Sequence, residues 1–210
     1  MTLALANVGA YDVPMPSQPT PLATNAKSSR REQILAAAAE LFARHGFHGV
    51  GIDDIGAAVG ISGPALYRHF RSKDAMLGEM LTSISTFLLD GGSGRAEAVA
   101  DAQEVLAQLV EFHVDFALAH PALITVQERN LGNLTDEDRK QVRALQRRYV
   151  EVWVRAIRDA VPGVGETEAR SAAHAVFGLI NSTPHNRHLS DAQLATLLGR
   201  LALGALRAAG

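Results

Sequence analysis

The sequence predicts an all-α fold, and three observations predict it. Of the 210 residues 47% are apolar but only 5% aromatic, the balance of an Ala/Leu-rich helical chain. Apolar side chains recur at intervals of three and four, not two, the period of a helix with one buried face. Capping and stop residues punctuate that pattern at the ends of the periodic runs. Nothing reads as a strand, no internal repeat is present, and about nine helices result.

Residues 1–26 hold Pro14, Pro16, Pro19 and Pro21 and one charge, Asp12, which forbids regular structure and predicts a flexible arm. A first helix is expected from about Ser29 to His45, where Ile34, Leu35, Ala38, Leu41 and Phe42 form one stripe and Gly46 stops it. Phe47, Val50 and Ile52 plug a small three-helix core, and Asp53 and Asp54 open the second helix, where the dipole favours negative charge. The third helix spans about Gly63 to Phe70. Ser72 caps a fourth, with an apolar stripe from Met76 to Leu88, and Gly91, Gly92 and Gly94 then mark a hinge. A fifth helix carries Leu106, Leu109, Val110, His113 and Ala117 on one face, with Phe112 and Phe116 beside it. Pro121 starts a short sixth. Thr135, followed by three acids, caps a seventh that runs through Tyr149, Trp153 and Ile157 to the stop at Pro162-Gly163. An eighth spans about Thr167 to Ser182, and Ser190 with Gln193 forms the capping box of a ninth.

The chemistry concentrates in residues 55–73, IGAAVGISGPALYRHFRSK. Ile55, Ala58 and Val59 give a short helix one apolar face, and Gly60 permits the backbone reversal after it. The hydroxyl of Ser62 suits an N-cap, and Pro64 falls in the first turn, where a missing N–H costs nothing. Leu66 and Phe70, four apart, anchor the second helix inward. Two helices joined by a three-to-four-residue turn, the second presenting small, aromatic and basic side chains, describe a helix-turn-helix that reads duplex DNA. Tyr67, His69 and Lys73 suit phosphate oxygens, and Arg68 suits either a guanine edge or a phosphate. Gly63, Pro64 and Ala65 are small enough for close approach and for contact with thymine methyls. Lys27, Arg30 and Arg31 are the basic residues at the end of the arm. The competing readings are a core aromatic for Tyr67 and a solvated surface for His69 and Lys73.

The segment from Arg30 to Leu77 resembles the DNA-binding domain of the TetR family of bacterial transcriptional regulators. That family's pattern is roughly I-A-x-x-A-G-V-S-x-x-x-L-Y-x-H-F-x-S-K. Ile55, Gly60, Ile61, Ser62, Leu66, Tyr67, His69, Phe70, Ser72 and Lys73 meet it here. Gly51 stands where a Thr or Ser usually caps the helix and touches a phosphate, so only a backbone amide is left; Gly56 and Val59 replace alanines. The resemblance implies a repressor that binds a palindromic operator as a homodimer and is released by a small-molecule effector. It divides the chain into an arm (1–26), a helix-turn-helix DNA-binding domain (27–75) and an effector-binding and dimerisation domain (76–210). It implies a four-helix bundle between the last two helices of each copy, through Val176, Ile180, Leu194, Leu198, Leu201 and Ala205. The same residues also suit completion of the chain's own core.

Within the body, Leu109, Phe112, Phe116, Tyr149, Trp153 and Phe177 suit the wall of a cavity for a largely apolar effector. His113, Gln127, His174 and Asn181 are available to orient its polar end, and each also fits a filled core or a surface. The second half is similar to actinobacterial members associated with acyl-CoA or lipid catabolism.

Composition narrows the alternatives. There is no cysteine, which excludes disulfides, thiolate-bound zinc and a thiol nucleophile. His185-x-x-His188 lacks a carboxylate at ligand spacing, and no Ser-His-Asp spacing, phosphate loop or paired-acid motif is present. An enzyme is therefore not expected, nor a metal or cofactor. No apolar run approaches the roughly 18 residues of a membrane span, and no basic residue precedes Lys27 as a secretory signal requires, so a cytoplasmic chain is expected. The net charge is −2, but residues 27–73 carry seven Lys/Arg against four acids and residues 74–210 carry 13 against 17. A basic head on an acidic body suits a DNA reader with a second, non-binding domain. The rival is a sequence-tolerant, nucleoid-type DNA-binding protein.

Overall fold

Hydroxyl and carboxylate caps set where the helices begin. The side chains of Ser29, Ser62, Ser72, Asp101, Thr135 and Ser190 each accept from the amide three residues on, and Glu32 and Gln193 close capping boxes at Ser29 and Ser190. The computed structural model describes residues 29–186 and 188–210; the arm expected over 1–26 lies outside them. Among the described residues there are nine α-helices and no strand. They are α1 (Arg30–His45), α2 (Ile52–Val59), α3 (Gly63–Leu66), α4 (Lys73–Ala98), α5 (Ala102–Ala119), α6 (Pro121–Asn130), α7 (Asp136–Ala160), α8 (Glu166–Ile180) and α9 (Asp191–Arg207). Two 3₁₀ turns follow α6 and α8, at Leu131–Asn133 and Thr183–His185.

Helices α1 to α3 form the head. Ile34, Ala38, Phe42, Ile55, Leu66 and Phe70 are buried together there, with Phe47 set edge-on to Phe42 at 5.2 Å. Two glycines shape its turns. Gly60 ends α2 at φ +70°, a left-handed conformation that a Cβ would strain. Gly56 lies so close to the carbonyl of Ile61 that a Cβ would stand 2.6 Å from it, so an alanine here would require the backbone of the turn to shift. In the body, α4 packs along α7 and against α5, α5 meets α9, and α8 lies against both α7 and α9. α6 packs on α1, and one buried cluster runs from the head into the body.

Three expectations are corrected. α3 closes after four residues, not eight; the chain continues to Phe70 as turns, with His69 N–H bonded to the Leu66 carbonyl at 2.9 Å. The hinge at Gly91–Gly94 is absent, because α4 runs unbroken to Ala98. Gly91 and Gly92 are instead buried notches: a Cβ on either would stand 2.3 Å from the Phe112 ring or 2.6 Å from the Tyr149 ring. Finally, Val176, Ile180, Leu194 and Leu198 do not form a free interface. They are spent within one chain, where α8 and α9 close over α5 and α7. Leu201 and Ala205 alone of the six face outward, Leu201 at 46% exposure.

Candidate DNA interface and effector cavity

On the head, Ser62 fixes the start of α3 by accepting from Ala65 N–H at 3.4 Å, and Pro64 occupies the first turn. Leu66 and Phe70 turn into the core. That leaves Gly51, Ser62, Pro64, Tyr67 and Arg68 exposed, Tyr67 at 56%, with Ala65 and His69 half-buried. A phenol and a guanidinium on adjacent exposed positions, beside small residues, can meet phosphates and a base edge together. Gly63 is buried, and its reason is internal packing: a Cβ would stand 2.2 Å from a carboxylate oxygen of Asp53.

Two basic residues expected on DNA are largely committed elsewhere. The Lys73 ammonium donates to the carbonyls of Phe47 and Val50, both at 2.7 Å, and lies 4.5 Å from the Phe47 ring centroid. It is a clasp between the start of α4 and the loop after α1, which corrects its assignment to a phosphate. Arg30 donates to Gln33 at 3.0 Å and to the Val59 carbonyl at 2.6 Å, so it caps the end of α2. Arg31 bonds Glu79 of α4 and the carbonyl of His69, stacked 4.0 Å over Phe70. Gly51 donates its amide to the Asp54 carboxylate at 2.8 Å, the reciprocal half of a capping box, while the bond that a hydroxyl would make to the first turn is missing.

Within the body lies a cavity of about 210 Å³, bounded by α4 to α8. Six of the ten expected effector residues line it: His113, Gln127, Tyr149, His174, Phe177 and Asn181. Leu109, Phe112, Phe116 and Trp153 do not. They are buried core behind it, Trp153 edge-on to Phe177 at 5.0 Å. Four further lining residues were not anticipated, namely Ser85, Leu88, Gln146 and Val150. Their signal was present: Ser85 interrupts an apolar stripe, and Gln146 lies three residues before Tyr149 on one helix face.

The polar side of the cavity is ordered by His113. Its Nδ1 meets the Tyr149 hydroxyl at 3.1 Å, and its Nε2 meets Asn181 Oδ1 at 3.2 Å. Because Asn181 presents an acceptor, the network assigns the proton to Nε2, and the Tyr149 hydroxyl donates to Nδ1. Burial lowers the His113 pKa to about 4, partly offset by the Asn181 hydrogen bond, so the ring is neutral near pH 7. Burial likewise pushes the Tyr149 phenol up, keeping its proton. Among the described residues Gln127 Oε1 is buried without a hydrogen-bond partner, which costs about 1–3 kcal/mol if left so.

The head and the body together define a helix-turn-helix regulator whose second, all-helical part carries a cavity. Comparison with known proteins places it further. Residues 34–80 match the family model described as bacterial regulatory proteins, tetR family. Residues 99–185 match that described as tetracyclin repressor-like, C-terminal domain. The chain belongs to the tetR family of bacterial regulatory proteins. Among curated relatives, the HTH-type transcriptional activator FasR of Mycolicibacterium smegmatis is 34% identical over 43% of this chain and 41% of its own length. The HTH-type transcriptional repressor KstR2 of Rhodococcus jostii is 31% identical over 62% of this chain and 65% of its own. The chain thus spans less than two thirds of the length of either. The solved regulator PfmR from Thermus thermophilus superposes with a TM-score of 0.71 at 26% identity, over 81% of this chain and 97% of that one.

Proposed function

We propose that the chain is a cytoplasmic, ligand-responsive transcriptional repressor that binds a palindromic operator as a homodimer. The observation that carries this is the exposed Tyr67-Arg68 pair at the end of a Ser62-capped α3, held rigid from behind by Leu66 and Phe70. One such head offers few base contacts, so two heads on one duplex are needed for useful affinity. Family membership and relatives named as regulators support the reading. Among the described residues no single helix is long and apolar enough to cross a membrane.

The cavity supports an effector, and α6 supplies a route from it to the head. α6 carries Gln127 at the cavity and packs on α1. At its end Asn130 donates to the Val126 carbonyl at 3.0 Å and accepts from Asn133 at 2.9 Å, and Asn133 meets His48 of the loop after α1 at 3.1 Å. An effector that prefers the head spacing mismatched to the operator by about 1.4 kcal/mol lowers affinity tenfold. The lipid-related likeness of the second half narrows, in a cavity of about 210 Å³, to short acyl groups at most.

Selection and sequencing of bound genomic fragments tests the reading. Recovered fragments share a palindrome, and the chain prefers it over random duplex by about a thousandfold at roughly 0.2 M salt. Equal affinity for both would return the nucleoid-type binder instead.

A further inference from the structure

We propose that the cavity selects an uncharged ligand of about single-ring size by a carbonyl-type acceptor that takes the amide N–H groups of Asn181. This rests on the effector-cavity reading and names the ligand class for it.

The first argument is the direction of the hydrogen-bond chain beside the cavity. Asn181 Oδ1 accepts from His113 Nε2 at 3.2 Å, so the bare Nδ1 of the neutral ring accepts from the Tyr149 hydroxyl at 3.1 Å. Burial raises the Tyr149 phenol pKa, and the indole N–H of Trp153 acts on its oxygen in the opposite sense. An indole nitrogen can only donate. Reversing the chain would aim two N–H groups at the Tyr149 oxygen and strand its hydroxyl proton. The chain therefore runs from Trp153 to Asn181, each bond polarising the next. It ends on the two amide N–H groups of Asn181, which no protein acceptor takes among the described residues.

The rest of the polar lining leaves that preference standing. Gln127 Oε1 is closed to a ligand by burial, so Gln127 has only amide N–H groups to offer. The Ser85 hydroxyl donates to the Leu81 carbonyl at 2.8 Å. Gln146 and His174 each carry both a donor and an acceptor and set no preference. A carbonyl oxygen serves the Asn181 N–H groups; a hydrocarbon that displaces water from them leaves them unpaired.

Charge and size narrow the class. No Lys, Arg, Asp or Glu lines the cavity. Arg95 donates to the Gly91 carbonyl at 3.0 Å, lies 4.0 Å over the Phe112 ring and has Asp115 as a counter-charge. An anion would exchange its hydration for neutral donors and no cation. About 210 Å³ exceeds the roughly 150 Å³ engineered cavity that takes up benzene and falls short of the roughly 300 Å³ at which drug-sized sites begin. Leu88, Val150 and Phe177 supply an apolar wall for a ring.

Acetophenone, α-methylstyrene and benzoate share one ring and nearly one shape. They carry a carbonyl oxygen, a methylene and a carboxylate in the same place. With the full chain at neutral pH, acetophenone raises Tm. By calorimetry it binds at least about tenfold more tightly than either of the others. Asn181→Asp keeps an acceptor for His113 and puts a carboxylate oxygen where the N–H groups stood; in it acetophenone binds no more tightly than α-methylstyrene. Should that variant fail to fold by circular dichroism, the three-probe ranking on the unaltered chain decides. An acetophenone advantage that survives Asn181→Asp, or is absent from the unaltered chain, overturns the proposal, as does benzoate equal to acetophenone. Each of these leaves the effector cavity standing. Silence from all three probes in both readouts overturns both.

Discussion

Lys73 shows how one side chain changes meaning between a motif and a structure. Its place in the S-K knuckle and its charge suggested a phosphate contact, yet its ammonium meets two backbone carbonyls at 2.7 Å. Lys73→Met keeps the stem against Phe47 and removes those bonds, so urea denaturation is expected to show a loss of about 2 kcal/mol. The slope of log affinity against log salt stays unchanged for that variant, whereas Arg68→Ala lowers it by about one. A reduced slope with unaltered stability would restore the phosphate role. His113 makes a second residue-scale statement. Its pKa is lowered from 6.5 to about 4, so between those values the unfolded chain binds the extra proton. The stabilisation is fully present above pH 6.5 and is lost as pH falls toward 4, by about 3 kcal/mol in all. Comparing stability-against-pH curves for the parent and His113→Gln isolates it: the variant's curve is flatter over that window, and superimposable curves would refute a buried neutral ring. At this scale the sequence showed which side chains could do chemistry. It did not show which backbone groups would claim them, because the carbonyls of Phe47 and Val50 come to Lys73 only through the tertiary fold.

Helices were more legible than their interiors. Caps at Ser29, Ser72, Thr135 and Ser190 and the three-four apolar spacing placed nearly every helix to within a turn, since both signals are local. The glycines of α4 were not, because a glycine that ends a helix and one that admits a neighbour's ring look alike in sequence. The cavity was half-legible for the same reason. Aromatic spacing identified the face of α5 and α7, but whether Trp153 lines a space or fills it depends on how α8 sits. Two substitutions separate notch from hinge. Gly91→Ala places a Cβ 2.3 Å from Phe112 and is expected to cost about 1–3 kcal/mol despite alanine's better helix propensity. Gly94→Ala has open space and gains about 0.5–1 kcal/mol from propensity alone. Thermal unfolding of the pair, measured side by side, checks the opposite signs; equal small effects would mean that the ring does not press on α4.

At the scale of the molecule, the proposed homodimer turns on the outward faces of α8 and α9, the helices that the resemblance assigns to it. Their inward stripe is consumed by the chain's own core, so association must use what remains. On α8 that includes Ser171, Ala175 and Gly178, with His174 beside them; on α9 it includes Leu201, Gly204 and Ala205, with Arg200 beside them, all exposed. Spacings of three and four place each set on one helix face. Gly178 and Gly204 have nothing within 4 Å of a would-be Cβ, so the surface is shallow and lets a second backbone approach closely. Leu201, at 46% exposure, is the large apolar side chain on it. A two-fold contact repeats each residue, so one substitution acts twice. Leu201→Asp therefore places two carboxylates in the same apolar interface while touching no buried position of the single chain. Sedimentation velocity is expected to find monomer where the parent is dimeric, and operator affinity falls by about a hundredfold or more as the second head is lost. Circular dichroism and Tm, taken well below the parent's dissociation range, stay close to those of the parent monomer. A dimer that survives Leu201→Asp would move the interface off these two helices and with it the spacing of the heads.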